Sequence, residues 1–141
     1  MAQIGLTFLL KEEAPQFAEK FIPFLSKIED IDAGRWSLDH CLSDIYEGNL
    51  IVWLVFRDNE IVAAITTRIC QAKIKYLVIE DIAGDYLSDW VTQAHDAIEK
   101  FARSIGCAQM TTGGRAGWEK YFRQFGFTKS RVEGFKNLEA L

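Results

Sequence analysis

The stretch Ile74-Lys-Tyr-Leu-Val-Ile79, continued by Glu80-Asp-Ile-Ala-Gly-Asp-Tyr-Leu-Ser88 and closed downstream by Tyr121-Phe-Arg-Gln-Phe-Gly-Phe127, decides how this chain is read. Residues 74–80 are rich in apolar and β-branched side chains and suit a strand. The acidic turn that follows leads into residues 88–105, where Trp90, Ala94, Ile98, Phe101, Ala102 and Ile105 form one apolar stripe at helical period. Gly106 is the natural stop. Residues 107–112 suit a short strand, Gly113 to Gly117 a loop, and Trp118 to Phe125 a short helix closed by Gly126. Two strands joined by a long helix are expected as parallel neighbours in one sheet, through a right-handed crossover.

Working outward, residues 3–10 alternate as a first strand; they lack the basic region and small-residue cleavage site of a signal peptide. Pro15 suits the start of a helix carrying Phe17, Phe21, Phe24, Leu25 and Ile28, and Pro23 inside that pattern predicts a kink or a split. Asp30 to Gly34 reads as a loop. Ser37 is the expected N-cap of a short helix that ends at Gly48. Residues 50–56 and 61–70 form a hairpin about Asp58-Asn59. Residues 127–138 are expected as a terminal strand or hairpin bending near Glu133-Gly134. With no linker, repeat or low-complexity segment, residues 1–141 read as a single domain. The element order gives an α+β or α/β domain, a mixed sheet flanked by helices.

The composition, 49% hydrophobic and 13% aromatic, supplies a core, and no apolar run reaches the roughly 18 residues of a membrane span. Cys41, Cys70 and Cys107 show no paired ligand spacing, so no metal site is expected. They fit a reduced, cytoplasmic setting as small hydrophobes. Charge is uneven. Residues 1–50 hold four basic against nine acidic side chains, and residues 112–136 hold six against two. The basic end can face an anionic partner or be a solvated surface; a net charge of −4 argues against nucleic acid.

The aromatic-Gly-Phe ending after a strand-helix-strand unit resembles the C-terminal half of the GNAT superfamily of N-acetyltransferases. That resemblance covers most of the chain in element order and residues 50–127 in detail. It implies the acyl-CoA N-acyltransferase fold, with acetyl-CoA lying where the two parallel strands splay apart. In the family a Gln/Arg-x-x-Gly-x-Gly/Ala loop holds the cofactor pyrophosphate on backbone N–H groups at a helix start. Here the corresponding residues are Ile79, Ile82, Gly84, Asp85, Tyr86, Leu87 and Ser88; one register puts Ile79 and Ile82 at the Gln/Arg and first Gly, and a second keeps no glycine. Between Lys75 and Lys100 there is no Lys or Arg, and Glu80, Asp81, Asp85 and Asp89 crowd the turn. Like charges there would repel an anion.

The family's general base often stands near the end of this strand, which points to Glu80, beside Asp81. Strand alternation would turn only one of the two toward the cleft. The family's proton-donating tyrosine aligns with Phe122, and Tyr121 is the adjacent candidate; core packing is the plain alternative for both. His40 and His95 lack ligand spacing, and His95, off the apolar stripe, is expected to be exposed. Two functions follow. One is an N-acetyltransferase using acetyl-CoA on a small-molecule or protein amine. The other is a catalytically silent module with a protein partner. For the second, the chain looks like small GNAT-like proteins carried by tailed bacteriophages, some of them virion components. Surface clustering of Trp36, Trp90 and Trp118 would favour the module.

Overall fold

A computed structural model describes residues 1–32, 34–113, 118–131 and 133–139. The elements in chain order are β1 (Ile4–Phe8), a 3-10 turn (Ala14–Phe17), α1 (Ala18–Ile31), α2 (Leu38–Glu47), β2 (Ile51–Arg57), β3 (Glu60–Gln71), β4 (Lys75–Gly84), α3 (Leu87–Ser104), β5 (Gln109–Thr112) and α4 (Glu119–Gln124). The strands form one sheet in sequence order, β1-β2-β3-β4-β5. The first three pairings are antiparallel, and β4 with β5 is parallel, as the strand-helix-strand reading requires.

Local chemistry explains the boundaries. Asp58 and Asn59 both adopt positive φ, 49° and 69°, which gives the two-residue turn between β2 and β3 the twist that hairpin strands need. The Ser37 side chain accepts a hydrogen bond from the His40 N–H at 3.1 Å, and Gly48 ends α2 with φ 85°. Pro23 does not split the first helix, which continues from Ala18 to Ile31; the break falls earlier, where the 3-10 turn gives way at Phe17. No strand or hairpin occurs in the described residues of 127–138, against expectation; the Glu133-Gly134 bend is likewise absent, and this segment is almost wholly exposed. The loop expected at residues 113–117 lies, beyond Gly113, outside the described residues.

Two apolar layers cover the sheet. On one face α3 buries Trp90, Ala94, Ile98 and Ala102 against Trp53, Val55, Ile65, Leu77 and Ile79. Phe8, Trp53 and Phe101 tie β1, β2 and α3 together, with ring centroids 5.1–5.5 Å apart. On the other face Phe21 and Leu25 of α1, with Cys41 and Ile45 of α2, pack on Val52, Leu54 and Ala64. Full burial of each such side chain contributes about 1.5–3 kcal/mol. Trp90 is 1% exposed and Trp36 and Trp118 are partly buried, so the three tryptophans form no surface patch.

Candidate active site

The site begins with a divergence. β4 pairs with β5 only from Tyr76–Gln109 to Ile79–Thr112, yet it stays paired with β3 as far as Gly84. The acidic segment 80–84, expected as a loop, is strand. Beyond Ile79 the β5-facing edge of β4 has no strand partner among the described residues. The N–H of Asp85 bonds to the Val62 carbonyl at 2.9 Å, which sets the alternation. By that alternation Ile82 and Gly84 turn their N–H and C=O away from β3, toward the gap that β5 has left.

A β-bulge sits at the point of divergence. Thr67 opposes Ile79 and Thr66 opposes Asp81, so Glu80 is the extra residue. The bulge overrides strand alternation: Glu80 and Asp81 both stand on the α1–α2 face. Arg68 joins the Glu80 carboxylate at 2.5 Å and Asp44 of α2 at 2.8 Å, and these two carboxylates hold its guanidinium more firmly protonated. Arg68 in turn holds the Asp44 carboxyl below the usual range. Asp81, 7% exposed, accepts a hydrogen bond from the Thr66 hydroxyl at 2.5 Å, with the Cys41 thiol 4.0 Å away. Burial pushes the Asp81 carboxyl up, against the Thr66 bond; burial and then the Asp81 charge push the Cys41 thiol up to about 12.

On the other face an apolar cleft runs between the open edge of β4, α3 and α4. Ile79, Ile82, Trp90, His95, Tyr121 and Phe122 are among its walls, around a cavity of about 40 Å³. Tyr121 and Phe122 both line it, although they are adjacent in sequence. Glu80 and Tyr121 therefore lie on opposite sides of β4, and no hydrogen bond joins them. His95 is not exposed as expected: its side chain is 11% accessible, because the Phe125 ring stacks on it at 4.4 Å and Phe127 meets it edge-on. The sequence stripe missed this contact because it comes from α4, outside the helix that carries His95.

The turn into α3 differs from a glycine cradle. Gly84 has φ +154°, and a Cβ there would lie 2.3 Å from the Ala63 Cβ, so this glycine admits β3, not an anion. Asp85 has its N–H occupied by Val62, and its carbonyl accepts the Trp90 indole N–H at 2.6 Å. Tyr86, 54% exposed, takes the left-handed conformation (φ 59°) before α3. No side chain caps α3, and the N–H groups of Leu87 and Ser88 precede its first intrahelical bonds. Arg57, from the end of β2, lies over the Tyr86 ring at 4.2 Å and bonds Asp89 at 2.9 Å. The turn thus has a basic partner that residues 75–100 do not encode. The two-residue hairpin turn beside Arg57 was the available signal: it fixes Arg57 at the end of the sheet where α3 begins.

No protein-family model matches the chain, and neither does any curated protein. Solved structures do. One is an aminoglycoside N-acetyltransferase, AAC(6')-Iy, in complex with CoA, at 14% identity and TM-score 0.68, covering 98% of this chain and 97% of that one. Another is a ribosomal-protein-alanine N-acetyltransferase from Brucella melitensis biovar Abortus 2308, at 11% and 0.69, covering 96% and 100%. A third is the glucosamine-6-phosphate N-acetyltransferase of Arabidopsis thaliana, at 12% and 0.68, covering 97% and 99%. The five-stranded mixed sheet flanked by helices is the acyl-CoA N-acyltransferase fold of the GNAT proteins.

Proposed function

We propose that this protein is an N-acetyltransferase that takes its acyl group from acetyl-CoA and passes it to an amine. One observation carries the reading: β4 parts from β5 at Ile79, and the backbone of Ile82 and Gly84 on that side has no strand partner among the described residues, with Ile82 lining an apolar cleft. A pantetheine arm, with its two amides, suits such an edge. Ile79 and Ile82 would line the arm, and the open N–H groups of Leu87 and Ser88, with Arg57 nearby, would meet the diphosphate. The inner space is smaller than the arm requires, so α4 has to shift outward on binding.

Bound there, acetyl-CoA supplies the acyl group and departs as a thiol. The chain supplies the proton traffic. Glu80, paired with Arg68, takes a proton from the amine on the α1–α2 side. Tyr121 offers its hydroxyl proton on the cleft side. Calorimetric titration with acetyl-CoA tests the first half of the reading. Saturable binding that CoA competes away is expected; no heat at millimolar ligand overturns it. Thiol release with a panel of small amines and N-terminal peptides tests the second half.

A silent module of the same fold is the second reading. The aromatic rings of α4 against the cleft favour it, as does the engagement of Glu80 by Arg68. Absence of both binding and turnover selects it, and attention then moves to the basic segment from Lys120 to Lys136 as the surface for a protein partner.

A further inference from the structure

Among the described residues, the buried polar and charged side chains are Thr66, Thr67 and Asp81, and all three flank one bulge. Burying a polar group away from water is costly unless it is bonded. Each of these is bonded, Thr67 on one face of the sheet and Thr66 with Asp81 on the other. Thr67 accepts the Trp53 indole N–H at 3.0 Å on the α3 face, while Thr66 donates to Asp81 on the α1–α2 face. The Thr66–Asp81 bond spans β3 and β4 at the residue after the unpaired Glu80, while the Trp53–Thr67 bond ties β3 to β2 on its other side. Cys41 of α2 closes over the Asp81 side. An all-apolar pair would pack here without those demands. What the polar pair adds is direction, because a hydrogen bond fixes register where apolar contact permits slippage.

We propose that Asp81 and Thr66 are positioning residues: their bond across β3 and β4 locks the bulge, and the bulge both aims Glu80 beside Arg68 and sets where β4 leaves β5. The role of Glu80 rests on the function proposed above; the lock itself does not. A slip of one residue at this point would carry Glu80 to the opposite face and turn the backbone groups of Ile82 and Gly84 toward β3, leaving those of their neighbours to face the gap.

Amide hydrogen exchange on the unliganded protein tests the lock. Thr66→Val keeps the shape and removes the hydroxyl; Thr66→Ser keeps the hydroxyl. Exchange at residues 79–84 should quicken roughly ten-fold in Thr66→Val, the factor for one net hydrogen bond, and stay near wild type in Thr66→Ser. Asp81→Asn, which retains an acceptor for Thr66, should keep the wild-type pattern. Unchanged exchange in Thr66→Val overturns the proposal whether or not the protein acetylates anything. With a working amine substrate, Thr66→Val should lower kcat with KM little changed, should cost little further in a Glu80→Gln background, and Thr66→Ser should restore turnover. Loss of turnover in Asp81→Asn with exchange intact would make Asp81 a reacting group and overturn the positioning role.

Discussion

The two faces of the sheet contrast most sharply at the bulge. Toward α3, the described residues against β4 are mostly apolar, Ile65, Ile79, Ile82, Trp90 and Ile98, with His95 under Phe125 and the Tyr121 hydroxyl at the margin. Toward α1 and α2, within the same few residues, stand Asp44, Arg68, Glu80, Thr66 and Asp81. The apolar face holds the sheet to its longest helix, with Tyr121 at its edge, and the polar face carries the carboxylates that can take a proton. The contrast teaches that a single inserted residue divides these tasks, because it lets two consecutive carboxylates leave the strand on one side.

The largest expected effect breaks or sharpens the chemical half of that contrast. Glu80→Gln should lower turnover by about 10²–10⁴-fold while leaving acetyl-CoA affinity nearly intact. Steady-state kinetics beside calorimetry separates the two. A fall in affinity with turnover unchanged would move the chemistry off the α1–α2 face.

The structural half rests on the α3 face. Ile98 is 1% exposed in the centre of that layer, so Ile98→Ala should cost about 2–5 kcal/mol, read from the denaturant midpoint. A change in Arg68, at the partly exposed pair with Asp44, should cost far less. If Arg68→Met destabilises more than Ile98→Ala, the polar face is holding the fold and the division of tasks is wrong.

What the sequence made legible follows the same division. Long periodic segments were readable: the α3 stripe through Trp90, Ala94, Ile98 and Ala102, the Asp58-Asn59 hairpin, and the Ser37 and Gly48 caps all depend on local chemistry. The order of those elements was enough for the mixed sheet. What escaped depended on pairing between distant segments. A bulge leaves no mark on its own strand, so alternation assigned Glu80 and Asp81 to opposite faces. The acidic run 80–84 looked like a turn because β3, which makes it a strand, lies more than ten residues upstream. Gly84 matched a phosphate loop by residue type, whereas its space is taken by Ala63. The 127–138 segment, expected as a terminal strand or hairpin, has no strand partner among the described residues.

The buried carboxyl gives a pH test of intermediate size. Burial raises the Asp81 pKa above its ordinary value, so the folded state favours the neutral acid. Stability from this group is fully present below the unfolded pKa and is lost as pH rises through the folded one. Asp32, Asp44 and Glu133 have lowered values and act oppositely, losing their contribution as pH falls. Those contributions are common to wild type and Asp81→Asn and cancel in the difference between them. Urea midpoints from about pH 4 to pH 8 should show wild type losing ground to Asp81→Asn as pH rises. A constant gap would mean that the Asp81 carboxyl ionises as readily in the folded protein as in the unfolded chain.

The smallest expected effect concerns charge at the start of α3, where the acidic turn meets Arg57. An exposed or half-exposed ion pair contributes about 0–1 kcal/mol to stability, so Arg57 and Asp89 matter little to the fold. Their effect on an incoming diphosphate has a definite sign. Asp89→Asn removes one negative charge and releases the Arg57 guanidinium, and should strengthen acetyl-CoA binding by about 1 kcal/mol. Arg57→Ala should weaken it by a similar amount. Salt then distinguishes attraction from repulsion, since exposed charges are screened over roughly 8–10 Å near physiological ionic strength. Affinity should fall with added salt in Asp89→Asn, where attraction has been uncovered, and rise with it in Arg57→Ala, where only the acids remain. Wild type, with the two paired, should lie between. Identical salt dependence in all three would show that the diphosphate does not approach this end of β4, and would remove the cofactor from the cleft.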